Sequence, residues 1–161
     1  MMYYYHATFR SNQESILKHG LQMHCKRNWN ASCCELIYVA DEPEEAAKWM
    51  VYWYEYQFYE LLKLKWGFSN TFWSDHTTEE LFNELPNVER MDEGVVVFEI
   101  DTTGFKVTPR YDEYAPETSY SRDRPLDYVI EGDIPPERLK LKGYISPDEI
   151  KSRIILGWGL Y

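Results

Sequence analysis

Three kinds of side chain in this sequence could do chemistry. His6 closes the run YYYHAT, Tyr38 sits in the short apolar run LIYVA, and Trp49 follows it eleven residues on. Asp127 and Glu131 lie in LDYVIEG, just ahead of an Ile-Pro-Pro turn. An imidazole can donate or accept a hydrogen bond near neutral pH. Tyrosine and tryptophan offer flat faces on which a ring or base can stack. A carboxylate can stabilise positive charge that develops on a bound substrate. Each residue also has a plainer use. A histidine at a strand end is usually structural, aromatic side chains usually fill cores, and carboxylates on strands discourage edge pairing.

The elements that must position these residues can be read from local pattern. MMYYYHAT is rich in β-favouring tyrosine and predicts an opening strand with His6 at its exit. Ser11 offers an N-cap with Glu14 completing a capping box, and Gly20 ends the helix that follows. Residues 22–35 lack periodicity and read as a loop, and 36–40 form a short apolar strand. Asp41 is the expected N-cap of a long helix over about 42–64, with Pro43 and the acids Glu42, Glu44 and Glu45 suited to its first turn. Along it Ala47, Val51, Tyr54, Phe58 and Leu61 recur at helical spacing beside Ala46, Met50 and Trp53, the wide apolar face of a helix packed on a sheet.

Residues 66–76 read as a polar–aromatic loop, and TTEELFNEL reads as a short helix. Strands are expected at 94–101, 105–109 and 127–132, with a long loop over 110–125, and a short helix near the C-terminus. Sixteen residues of loop exceed the usual length, which favours a functional segment. The order β-α-loop-β-α and then several strands gives an α+β class with two small packed sheets.

Composition narrows the function classes. A chain of 161 residues defaults to a single domain, 1–161, and buries roughly 68–70% of its unfolded surface without disulfide support. The 27 acidic and 17 basic residues leave a net charge of −10, which argues against a broad basic nucleic-acid footprint. Cys25 and the adjacent Cys33 and Cys34 are odd in number and poorly spaced for a disulfide framework or a closed zinc site, so no metal is expected. Lacking a signal-peptide pattern or an apolar run of about 20 residues, the chain is expected to be cytoplasmic, with no membrane partner.

Taken jointly, His6-Ala7-Thr8 on a first strand, Tyr38 before a helix bearing Ala46 and Trp49, and a carboxylate before Ile-Pro-Pro resemble the ADP-ribosyltransferase superfamily. The closer branch is that with histidine, tyrosine and glutamate motifs, which includes poly(ADP-ribose) polymerases and diphtheria-like toxins. The resemblance covers about half the chain and implies a split β-sandwich of two small sheets with flanking helices. It implies NAD as substrate, with His6 bonding the adenosine-side ribose and the backbone of Ala7, where the family usually has glycine, holding the nicotinamide amide. Thr8 matches the family's small hydroxyl residue. Tyr38 would stack on nicotinamide, with Trp49 as the second aromatic face and Ala46 in place of a hydroxyl residue.

The family's catalytic glutamate falls at Asp127, one methylene shorter. Glu131 is the fallback carboxylate, but four residues at ~3.3 Å each separate the two by ~13 Å, too far to serve one anomeric carbon. Pro125 stands where the arginine-modifying branch needs Glu or Gln, which disfavours arginine as acceptor.

The resemblance implies a mono-ADP-ribosyltransferase whose catalytic residues are Asp127, His6 and Tyr38. Its acceptor is unidentified, with protein slightly favoured over nucleic acid. One alternative is a non-catalytic module binding NAD, ADP-ribose or a protein; the other is RNA 2′-phosphotransfer, which also uses a His-small-Thr opening but needs more basic side chains.

Overall fold

Alternation along YYYHATF decides what the first strand does. The computed structural model describes residues 2–23, 36–66, 80, 92–111 and 125–155. Strand β1 spans Tyr3–Phe9, so His6 lies mid-strand and not at the exit expected from sequence. With side chains on alternate faces, Tyr5, Ala7 and Phe9 pack into one apolar cluster and Tyr4 into another. His6 and Thr8 share the face of Tyr4, which turns them toward the second cluster.

A 3-10 turn at Arg10–Asn12 follows, then α1 (Gln13–His19). Ser11, the expected N-cap, lies inside the 3-10 turn, one residue short of the N-cap position. Asn12 precedes the helix without a side-chain cap, and the Ser11 amide instead donates to the Glu93 carboxylate at 3.3 Å. Gly20 ends α1 as expected, its N–H bonding Ile16 O. Its φ of +80° is left-handed, and an added Cβ would lie 2.1 Å from the Ile134 carbonyl oxygen, so glycine is required there. The next residue, Leu21, forms an antiparallel bridge with Ile134.

Strand β2 (Ile37–Val39) leads into α2 (Pro43–Trp66), which begins with proline and acids in its first turn. The helical period is borne out over Ala46 to Phe58: Ala46, Ala47, Met50, Val51, Trp53, Tyr54 and Phe58 are all buried, and the side chain of Leu61 lies outside the described residues. This face lies on β1 and β3, with Phe9 meeting Trp53 and Tyr54 edge-on at centroid distances of 4.9 and 5.8 Å.

The remaining strands are β3 (Val95–Asp101), β4 (Val107–Arg110), β5 (Asp127–Ile130) and β6 (Leu139–Ile145), and α3 (Pro147–Ile155) follows β6. Two antiparallel three-stranded sheets result, β1-β3-β6 and β2-β5-β4. The architecture is therefore mixed, with helices flanking two small sheets, as the α+β reading expected. β3 is central in its sheet and buried on both faces, which explains its unbroken apolar run VVVF.

One core cluster joins the first sheet to α2 and α3. The other gathers Tyr4, Val96, Phe98 and Ile100 from the first sheet with Ile37, Val39 and Ile130 from the second. Backbone bonds between Tyr5 and Ala40, at 2.8 and 2.9 Å, stitch the two sheets at one corner. The short helix expected at TTEELFNEL, apart from helical Glu80, and most of the loop expected over 110–125 lie outside the described residues, as do the three cysteines. Among the described residues, no helix is long and apolar enough to cross a membrane.

Candidate active site

Beside the corner where the sheets meet, β1, α1, β2, the first turns of α2 and the β4–β5 pair surround a cavity of about 610 Å³. Small-molecule sites span roughly 300–1,000 Å³. His6, Ala7, Thr8, Tyr38, Ala46, Trp49 and Asp127 all line it. These seven positions come from three strands and one helix, across more than a hundred residues of chain. Ala46, Trp49 and Met50 reach it together because residues three and four apart share a helix face. Glu131, the fallback carboxylate, is not among the lining residues. It lies past the end of β5 and is exposed.

His6 is half-buried, and its Nδ1 sits 2.9 Å from the Tyr38 carbonyl oxygen. A carbonyl can only accept, so Nδ1 carries the proton and Nε2 is left as the acceptor of the neutral ring. Desolvation holds the imidazole pKa below its ordinary value, while the bond to Tyr38 works weakly against this. His6 thus does two things at once. It clamps β1 to β2, and it lines the cavity as a neutral ring with one acceptor nitrogen. Thr8, 3% exposed, accepts a 2.9 Å hydrogen bond from the Asn12 side-chain amide.

Asp127 is held from across the sheet. It is the register partner of Arg110, and the guanidinium donates through Nε to one carboxylate oxygen at 2.6 Å and through Nη2 to the other at 2.5 Å. Such a fork matches a carboxylate in geometry as well as charge. The same guanidinium lies over the Tyr38 ring, 4.6 Å from its centroid. Tyr38, Arg110 and Asp127 therefore form one stacked and hydrogen-bonded unit on the cavity wall. Trp49, the second aromatic, is met edge-on by Tyr52 at 5.9 Å.

Arg110 is the residue that sequence reasoning missed. It stood at the border of a presumed loop, one place beyond the strand expected at 105–109. The available signal was charge opposite charge: extending that strand by one residue sets Arg110 against Asp127. Among the described residues that line the cavity, Arg110 and Asp127 carry the formal charges and cancel. The rest of the wall is largely apolar, with Ile16, Leu21, Ile37, Val39 and Met50 contributing. Such a site suits a ligand that buries apolar or aromatic surface and is fixed by a few polar contacts. No group of three or more metal-ligating side chains occurs among the described residues.

No protein-family model, curated protein or solved structure matches this chain.

Proposed function

We propose that this protein is an NAD-dependent mono-ADP-ribosyltransferase with an ADP-ribosyltransferase-like split β-sandwich, cleaving the nicotinamide–ribose bond and passing ADP-ribose to an acceptor. The observation that carries the reading is the joint lining of one cavity by His6, Ala7, Thr8, Tyr38, Ala46, Trp49 and Asp127. Seven positions chosen by resemblance, and scattered along the sequence, converge on a single ligand-sized space.

The chemistry follows from what each residue can offer. Neutral His6 presents an acceptor nitrogen that suits a ribose hydroxyl. Tyr38 and Trp49 supply aromatic faces for a planar ring. Breaking a nicotinamide–ribose bond builds positive charge at the anomeric carbon, and a fixed anion at Asp127 would stabilise it.

The decisive experiment is release of free nicotinamide from NAD by the purified protein, with and without cell lysate as acceptor source. Asp127→Ala is expected to abolish turnover. His6→Ala is expected to weaken binding, whereas His6→Asn, which keeps a donor for the Tyr38 carbonyl, should retain the fold but still bind weakly. Unchanged turnover in Asp127→Ala would remove Asp127 from the chemistry.

A second reading, a binding module without turnover, draws on the two hydrogen bonds from Arg110 that occupy both oxygens of Asp127. NAD binding without nicotinamide release would select it. RNA 2′-phosphotransfer ranks last, since the described lining offers one fixed cation, and that cation is engaged by a carboxylate.

A further inference from the structure

A planar cation lies over the Tyr38 ring and is gripped at two points by a buried carboxylate. Those are the contacts with which a protein binds a guanidinium or a positively charged aromatic ring as a ligand. Here the cation belongs to the chain itself. We propose that the face of Tyr38 and the carboxylate of Asp127 form a planar-cation site, that Arg110 fills it in the resting protein, and that a ligand enters by taking over both contacts.

Exposure of the two partners makes this an exchange and not a release. The Arg110 side chain is 42% exposed and the Asp127 side chain 8%. The guanidinium therefore has an open path to water, where a cation is well solvated. Asp127 has far less, and a largely buried carboxylate without donors is unfavourable. Arg110 leaves readily only when an incoming group brings hydrogen-bond donors to Asp127, and a positive charge or electron-poor ring to Tyr38. The site thus selects by competition. A ligand that lacks either feature must displace Arg110 without compensation.

On the NAD reading above, on which this extension rests, the nicotinamide riboside end has what is required. The oxidised ring is planar and positively charged, and the attached ribose offers hydroxyl donors. The reduced dihydronicotinamide is neutral and does not replace the lost charge. Arg110 is then a specificity-determining residue that favours oxidised over reduced dinucleotide and suppresses binding by weaker mimics. Its charge is committed to Asp127, so in this arrangement it does not hold the diphosphate.

The test begins with methylguanidinium, which is independent of NAD. Calorimetric or NMR titration should show saturable binding to Arg110→Ala, little to the wild type, and none to the Arg110→Ala, Asp127→Asn double variant. Equal binding by all three overturns the proposal. Titration of oxidised NAD should then show tighter binding to Arg110→Ala by roughly tenfold, the gain expected when a latch that is open about a tenth of the time is removed. NADH should gain less. Weaker binding of oxidised NAD to Arg110→Ala would mean that Arg110 is a ligand contact and not a latch.

If Arg110→Ala does not fold, Arg110→Lys keeps the charge opposite Asp127 but loses the planar fork and the stack. It should show a smaller gain for NAD, and no gain counts against the latch. Methylguanidinium binding to Arg110→Ala with no NAD binding by any form would keep the planar-cation site and defeat the NAD reading.

Discussion

Replacing Glu55 with leucine should stabilise this protein, and by an amount that grows with pH. Glu55 lies within α2 and is 3% exposed, and neither carboxylate oxygen has a hydrogen-bond partner among the described residues. Desolvation raises its pKa; burial also raises the phenols of Tyr52 and Tyr59, one helical turn to either side, and the Glu55 carboxylate adds to both, at Tyr52 after Glu45. A buried acceptor without a partner costs about 1–3 kcal/mol. Leucine removes that cost, has good helix propensity and fills similar volume. In a chain of this size each kcal/mol moves Tm by roughly 2–4 °C.

The sign of the pH dependence follows from linkage. A carboxyl whose folded pKa is raised binds its proton more tightly in the folded state. Its contribution is most favourable below the unfolded pKa of about 4.3 and is lost as pH rises through the folded value. The leucine variant should therefore gain most over wild type at pH 8 and least near pH 4, in urea unfolding followed by circular dichroism at both pH values. A gain independent of pH, or destabilisation at pH 8, would refute the claim that the buried carboxylate is an unpaid cost of this helix.

Other expectations follow from single contacts. Gly20→Ala should cost about 2–4 kcal/mol in thermal unfolding, because it combines a left-handed φ of +80° with a Cβ placed 2.1 Å from the Ile134 carbonyl oxygen. Asp127→Asn should change stability by about 1 kcal/mol or less, since the released Arg110 can turn to water, while nicotinamide release falls roughly 10²–10³-fold. Equal losses in both would make Asp127 structural. His6, with its folded pKa lowered, favours the folded state above its unfolded pKa of about 6.5 and loses that contribution as pH falls through the folded value. His6→Asn should flatten the stability slope on the acid side of pH 6.5 in parallel melts, and an unchanged slope would assign it to other groups.

Several elements were legible because their signal is local. The helical period over Ala46 to Phe58 follows from side-chain geometry within one helix, and burial matches it. The apolar run VVVF announced a strand covered on both faces. Strand β6 was not read. Its alternation in LKLKGYI is broken near Gly143, where the register shifts, and as an edge strand it leaves Leu141 and Tyr144 exposed. The N-cap expected at Ser11 falls one residue on, at Asn12, while the Ser11 amide bonds the distant Glu93, a partner no local pattern announces.

The site divides in the same way. The amino-acid sequence by itself determined which residue types were present and in what order: a histidine and threonine alternating on one strand face, two aromatics flanking a helix start, and a carboxylate opening a late strand. Local periodicity sets those facings before any folding partner is chosen. What only the tertiary structure decided is who meets whom. Cross-strand register set Arg110 against Asp127 and laid its guanidinium on Tyr38. The meeting of the sheets gave His6 a backbone carbonyl as partner, an acceptor that every residue carries and that no sequence position can single out. Packing also buried Glu55 without a partner. Pairing between segments a hundred residues apart depends on how sheets and helices close around a shared core, and that closure is a property of the whole chain.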